Sequence, residues 1–495
     1  MKIIRDYKLA KELLERSLPY SGNDKIENTV KEIIECVKRD GDKALFNYTE
    51  RFDGAKLKTL EVTAKEKASA RLQNTDPRLY NALSFAADRI EKFHRACMQK
   101  YGKGFLRDGL GQQVLPLERV GIYVPGGTAS YPSTVLMTAI PARVAGVKEI
   151  IMVTPCGKDG KVPANTLAAA KIAGVNRIFK IGGAQAIAAL AFGTASVPRV
   201  DKICGPGNIY VMTAKKLVYG IVDIDALQGP SEVVVIADGT ADPAFCAADL
   251  IAQSEHDALA SSIFITTSAA LATKVQAELK KQLAKLKRNT ITTRALTANG
   301  KIIIVKDMKQ AIELTNLYAP EHLSLMVKDA RKYIGQIRNA GCICAGQYSP
   351  VVLGDYVAGP SHALPTGGSA RFSSPLVVQD FIKIISIIAL DDNEMKKLGP
   401  YALLMAENEG LTGHANSVKI RLSKKKAKKV LHYIPGACNE SQTIFLRNTP
   451  AIFTACRCSR HPGHVHGMVR WNFQRRQCHP CRYRPCTGAR KLQHA

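Results

Sequence analysis

Among 495 residues there is one tryptophan, and aromatic side chains make up only 6% of the chain. No apolar run approaches the ~20 residues needed to span a bilayer. The opening Met1-Lys-Ile-Ile-Arg-Asp-Tyr-Lys has no apolar core of the kind a secretory leader carries. The expectation is a cytoplasmic protein with no membrane partner. Nowhere does G-x-G-x-x-G occur, so the ordinary dinucleotide fingerprint is missing.

Acidic residues are also scarce, 42 Asp+Glu against 70 Lys+Arg, for a net charge of +28. Such a balance would ordinarily suggest nucleic acid as a partner. Its distribution argues otherwise. Residues 424–495 hold 15 Lys+Arg, with Glu440 as their one acid, and so supply half of the excess. Without them a moderately basic enzyme surface remains, and a nucleic-acid role is not expected. Cysteine divides at the same place. Cys36, Cys97, Cys156, Cys204, Cys246, Cys342 and Cys344 are scattered through the first 423 residues, as reduced buried thiols would be. Six more crowd into the tail.

What is present is helix, then alternating strand and helix. Ile26, Val30, Ile33, Ile34 and Val37 are helically spaced within 24–48, as are Leu79, Leu83, Ala86, Ile90 and Phe93 within 76–93. Asp76-Pro77 supplies a capping carboxylate and a proline suited to a first helical turn. From about residue 118 short β-branched runs recur, such as Ile150-Ile-Met-Val, Val233-Val-Val-Ile and Ile302-Ile-Ile-Val, each followed by a turn and a helical stretch. Continuous apolar strands alternating with helices predict parallel sheets buried on both faces.

The fold class is therefore α/β, with two Rossmann-like parallel-sheet domains. We expect a helical N-terminal region (1–117) packed on the first α/β domain (118–230, the nucleotide side). A second α/β domain (231–375) would carry the reacting groups, followed by a small C-terminal helical segment (376–423) and a disordered tail (424–495).

Three strand ends carry glycines: Pro125-Gly-Gly127, Gly182-Gly-Ala-Gln185 and Gly205-Pro-Gly-Asn208. Glycines there let backbone N–H groups approach a phosphate, although tight turns alone would also use them. Five histidines precede residue 424. Gln253 and His256 stand three apart in a helical run after Asp242-Pro243, a spacing that would place an amide oxygen and an imidazole on one face for a metal, although a solvated or capping histidine would look the same. Glu321 and His322 stand just before an apolar strand, where an adjacent acid and imidazole suit proton transfer or form a surface dipeptide. Asp355 and His362 fall in a long Gly/Pro loop, 354–368, of the length that is often functional. His414 follows Glu409-Gly-Leu-Thr-Gly.

Eight segments in order carry a specific resemblance. Ile122-Tyr-Val-Pro-Gly-Gly, the Gly182 and Gly205 segments, Gly229-Pro-Ser-Glu-Val, Gln253-Ser-Glu-His, Pro320-Glu-His-Leu, Gly354-Asp-Tyr and Glu409-Gly-Leu-Thr-Gly-His-Ala resemble the histidinol dehydrogenase family. The likeness covers roughly residues 1–423.

It implies oxidation of L-histidinol to L-histidine with two NAD+, the last steps of histidine biosynthesis. It further implies one Zn2+ per subunit held by Gln253, His256, Asp355 and His414, and NAD contacts at Tyr123, Gln185 and Asn208. Substrate contacts fall at Ser231, His362 and Glu409, besides the metal ligands and His322, while Glu321 and His322 match paired proton acceptors. The implied assembly is an intertwined homodimer in which Glu409 and His414 cross to the partner. A zinc/NAD dehydrogenase of another amino alcohol is the alternative, to be separated by substrate turnover. A basic nucleic-acid-binding protein is the alternative of another class, to be separated by salt-sensitive binding that survives loss of the tail.

The tail follows other rules. Lys424-Lys-Lys-Ala-Lys-Lys429 opens a stretch rich in Arg, Cys, His and Pro, without periodicity. Its Cys and His runs do not resolve into two metal-ligand pairs. A frameshift or read-through near codon 424 would produce such a change.

Overall fold

The computed structural model describes residues 1–16, 24–69, 76–126, 130–287 and 289–423. Gly127 and the 424–495 tail, with the expectations attached to them, lie outside these.

Numbered along the chain, β1 (Lys2–Ile4) is followed by helices and then by a hairpin, β2 (Gly104–Arg107) and β3 (Leu110–Pro116). The first parallel sheet consists of β4 (Arg119–Tyr123), β5 (Glu149–Val153), β6 (Arg177–Phe179), β7 (Lys202–Cys204) and β8 (Asp223–Ile224), in the order β6-β5-β4-β7-β8. The second holds β9 (Glu232–Ala237), β10 (Ser261–Thr266), β11 (Lys301–Ile304), β12 (His322–Met326) and β13 (Cys342–Ala345). With β1 it has the order β1-β11-β10-β9-β12-β13, again all parallel. A last strand, β14 (Ile382–Ile388), runs antiparallel to β3 in a three-stranded sheet β14-β3-β2.

The two parallel sheets explain the continuous apolar runs. β9 is buried along its whole length, with Val233, Val235 and Ala237 in the core on one face and Val234 and Ile236 in the core on the other. An alternating strand would leave one of those faces polar. The proline-opened helices start where their caps require. Asp76 accepts from the Arg78 N–H at 2.8 Å ahead of the helix Pro77–Gln99, and Asp242 from the Ala244 N–H at 2.7 Å ahead of Pro243–Ser254.

Several local expectations are corrected. The helical stretch 24–48 is two helices, Asp24–Asp40 and Asp42–Asp53, because Gly41 takes φ +55° and breaks the run. The N-terminal region does not pack as one helical unit on the first α/β domain. Val30, Ile33 and Ile34 do join the core beneath that sheet. However, β1 pairs with β11, and Ala10 and Leu14 of the helix Tyr7–Leu14 enter the core of the second sheet. Arg16, just beyond that helix, pairs with Glu232 at 2.6 Å. Asp355 sits on a short helix, Val351–Tyr356, where a loop was expected. The 376–423 segment passes through a 3-10 turn, Val378–Phe381, and the strand β14 before its helices Asp392–Asn408 and Thr412–Ser423. Among the described residues no helix is long and apolar enough to cross a membrane.

The helix Pro77–Gln99 buries His94 completely, edge-on to Phe93 and with no hydrogen-bond partner for either ring nitrogen among the described residues. Burial drives its pKa from 6.5 down to about 4. The native state therefore refuses a proton that the unfolded chain accepts below about pH 6.5. Stability from this site is whole above that value and is lost as pH falls toward 4. Urea unfolding at pH 7 and pH 5 should show the wild type losing about 2 kcal/mol more than His94→Leu. Equal losses would mean that the ring takes up its proton alike in the folded and unfolded states.

Candidate functional site

In the first sheet strand order reverses between β4 and β7, and a crevice opens beyond their carboxyl ends, as such a switch point requires. A cavity of about 1740 Å3 lies there, lined by Tyr123 at the end of β4, Gln185 on the helix Gly183–Phe192, Asn208 capping the helix Ile209–Val218, and Asp53. All three residues expected to contact NAD thus share one cavity. The Tyr123 hydroxyl accepts from the Gly183 N–H at 3.1 Å, and burial pushes its pKa up to about 12. The Asn208 side-chain oxygen accepts from the Tyr210 and Val211 N–H groups, both at 3.1 Å, which closes the helix start. Gln185 is buried, and its Oε1 has no hydrogen-bond partner among the described residues.

Gly205 has φ +115°, and a Cβ there would stand 2.1 Å from the Tyr123 carbonyl oxygen, so only glycine permits this crossing. Behind it, buried Lys215 pairs with Asp225 and donates to the Gly205 carbonyl at 3.0 Å, while Asp225 accepts the Gly205 N–H at 2.8 Å. The glycine loop is held from both sides of one residue. Sequence reading missed Lys215, Asp225 and Asp53. Nothing in a lone lysine ten residues before an aspartate marks a buried pair.

The second group of residues gathers at the amino ends of β9, β12 and β13, the edge opposite to the one where ligands of such sheets ordinarily bind. Glu321 immediately precedes β12, and β12 begins at His322 itself, one residue earlier than its apolar run suggests. Both are buried. The Glu321 Oε2 accepts from the Glu232 N–H at 2.8 Å and from the Gln253 amide at 3.3 Å. The His322 Nε2 lies 3.8 Å from Glu321 and 3.6 Å from Asp355. Burial pushes the Glu321 carboxyl up to about 8, against the pull of His322. Burial pulls the His322 ring down, but the Glu321 carboxylate and its other neighbours more than offset this and raise it. Both groups hold a proton more tightly than they would in water.

His362 joins the cluster. Its Nδ1 meets the Asp355 carbonyl at 2.8 Å, its Nε2 meets the Thr134 hydroxyl at 3.3 Å, and its ring feels the charges of Asp355, His322 and His256. His256 is exposed and lies beyond the helix, which ends at Ser254, so it does not share a helix face with Gln253. Ser231 lies just before β9. Asp249, four residues before Gln253 on the same helix, was missed although its spacing could have shown it. It accepts from the Ser324 hydroxyl at 3.2 Å, and burial lifts its carboxyl to about 6.

Glu409 and His414 are placed differently. Both are exposed on the hairpin formed by Asp392–Asn408 and Thr412–Ser423, whose helices pack on each other. Among the described residues no hydrogen bond or ion pair joins either side chain to Gln253, His256 or Asp355. Nor, among them, do three or more His, Cys, Asp or Glu side chains converge on a common metal position.

The chain is similar to known proteins over most of its length. The family model for histidinol dehydrogenase matches residues 17–422. The chain is 55% identical over 396 residues to a histidinol dehydrogenase of Dehalococcoides mccartyi (strain CBDB1), covering 80% of this chain and 91% of that one. It is 54% identical over 403 residues to that of Syntrophotalea carbinolica, covering 80% and 93%. The crystal structure of histidinol dehydrogenase from Elizabethkingia anophelis superposes with a TM-score of 0.79 at 38% identity, over 85% of this chain and 97% of that one. The chain belongs to the histidinol dehydrogenase family.

Proposed function

We propose that this protein oxidises L-histidinol to L-histidine through histidinaldehyde, with zinc and two NAD+ in succession, in the cytoplasm. The observation that supports it most is the cluster of buried Gln253, Glu321 and His322 with half-buried Asp355, in which two proton-acceptor candidates adjoin two metal-ligand candidates.

The chain's own groups suit both absent partners. Tyr123, Gln185 and Asn208 border a cavity large enough for a dinucleotide, with an unpartnered buried amide oxygen and a glycine crossing that admits close backbone approach. Gln253, His256 and Asp355 offer one amide, one imidazole and one carboxylate, a donor set acceptable to zinc but one ligand short of four. The partner subunit's His414 would complete it, and Glu409 would reach the substrate by the same crossing. The hairpin that carries both leaves Tyr401, Leu404 and Met405 64–72% exposed, apolar surface consistent with a second copy covering it. Bound zinc would fix the donor atoms of histidinol and so the alcohol carbon, and NAD+ would take up hydride.

His322 accepts the hydroxyl proton in the first oxidation. Glu321 accepts a proton from the water that adds to the aldehyde, which prepares the second. Ser231 and His362 hold the substrate.

The experiment is the yield of NADH per histidinol, with and without chelator, on the full chain and on a version ending at Ser423. Two NADH per substrate, lost on chelation and restored by zinc, is expected. Turnover of another amino alcohol in preference to histidinol, or full activity in chelator, would overturn the assignment. Activity confined to the shorter version would show that the tail obstructs assembly.

A further inference from the structure

Where a dinucleotide lies over a strand–helix–strand unit, an acid at the end of the second strand ordinarily takes the ribose hydroxyls of the adenosine half. Here the second strand is β5, and Thr154-Pro155-Cys156-Gly157 follows it without an acid. The first acid of that loop, Asp159, is exposed and accepts the Lys161 N–H at 3.1 Å, which commits it to the turn.

A carboxylate from elsewhere stands at the same loop. The helix Asp42–Asp53 stops at Gly54, which takes φ +67°, and a Cβ at Gly54 would lie 3.7 Å from the Lys158 Cγ. The helix end is thereby set against the loop after β5, with Asp53 in the wall of the cavity. Three other acids line that cavity. Glu66 is tied to Lys180 at 3.1 Å, Asp159 to its turn, and Glu32 is exposed.

Asp53 alone of the four has a buried oxygen, Oδ2, without a hydrogen-bond partner among the described residues. No ion pair joins it to Lys158 among them, and Arg51, the base of the same helical turn, lies over the Phe52 ring instead. Burial lifts its carboxyl to about 6, with no cation to offset the loss of water. It also occupies the last position of a helix, where the macrodipole disfavours an anion. A half-buried carboxylate that opposes its own helix contributes nothing to the fold that an amide would not.

We propose that Asp53 is the group that selects NAD+ over NADP+, by accepting the hydroxyls of the adenosine ribose and repelling a 2′-phosphate. It takes the part of the missing acid after β5 from a helix outside the sheet. The inference rests on the reading of this cavity as the NAD site.

The test is calorimetric titration of NAD+ and NADP+ into the full chain at pH 8, without histidinol, so that binding is read apart from turnover. The wild type should bind NAD+ at least about 100-fold more tightly, since a like charge in the site adds to the lost hydrogen bonds. Asp53→Ala should weaken NAD+ about tenfold and strengthen NADP+ about tenfold. Asp53→Asn keeps an acceptor oxygen without the charge, so NAD+ should weaken only about threefold while NADP+ gains as with alanine. Asp53→Glu should keep the wild-type preference.

Thermal unfolding without nucleotide gives the second readout. Asp53→Asn should hold or raise Tm, because it removes a charge opposed to the helix dipole. A Tm several degrees lower would make Asp53 a structural residue and overturn the proposal. An unchanged NAD+/NADP+ ratio in the alanine and asparagine variants would overturn it too, as would a wild type that binds the two equally. In either case NAD+ still binds and the reading of the cavity stands. A wild type that binds neither would bring down both.

Discussion

Lys215→Met is expected to cost this protein about 3–5 kcal/mol of stability, the range for removing one partner of a buried ion pair. Lys215 is wholly buried and its side chain meets both Asp225 and the Gly205 carbonyl. Methionine fills a similar volume but leaves the Asp225 carboxylate in the interior with the N–H donors of Gly205 and Ala226 and a longer bond, 3.4 Å, from the Gln228 amide among the described residues. Those neutral donors do not balance the desolvation of a charge. The same loss frees one side of the Gly205 crossing, so the KM for NAD+ should rise while KM for histidinol changes little. Replacing both members, Lys215→Met with Asp225→Leu, should regain part of the stability, because no unpaired charge remains, but not the KM. Urea unfolding and steady-state kinetics read the two effects separately. A single variant within 1 kcal/mol of wild type would remove the pair from any account of how the loop is held.

Glu321→Gln is expected to slow the second oxidation by about 10²–10⁴-fold, the usual contribution of a positioned proton acceptor, while sparing the first. The fold should survive the change. The substituted amide keeps a carbonyl oxygen that can accept from the Glu232 N–H, the bond that now ties Glu321 to the start of β9. What disappears is the ability to take a proton from water. The NADH yield should fall from two per histidinol toward one, with the aldehyde trapped by a carbonyl reagent. Rapid mixing with histidinol and, separately, with histidinaldehyde measures the two steps. If the variant oxidised both as the wild type does, Glu321 would have no part in the hydration step.

The two predictions concern residues of different legibility. Glu321 was visible because a carboxylate and an imidazole adjoin an apolar run within a segment resembling a known family. Lys215 was not, because its partner is defined by the turn that brings β8 beside β7. Asp53 is of the second kind. It ends a helix far ahead of the loop after β5, and only tertiary packing sets the two against each other.

By itself the sequence determined most of the element types and their order along the chain. Asp-Pro at 76 and 242 marked helix starts, since a capping oxygen and a fixed φ act within one turn of chain. Continuous β-branched runs marked parallel strands, since burial on both faces removes the polar alternation. Glycines at the strand ends marked turns, and Gly126 and Gly183 among them line the crevice of the first sheet. These are local signals, set by a residue and its neighbours along the chain.

Tertiary structure decided what lies across from what. It joined β1 to β11, residues 2–4 to residues 301–303, because a three-residue strand finds its partner only through the assembled edge of a sheet. It drew Glu321, His322, Gln253 and Asp355 to the amino edge of the second sheet, where the general rule for such sheets points elsewhere. And it left Glu409 and His414 exposed on a separate hairpin, with no hydrogen bond or ion pair to Gln253, His256 or Asp355 among the described residues. Strand register and subunit contact depend on shape complementarity between segments hundreds of residues apart, and a periodicity read over one or two turns of chain does not encode it.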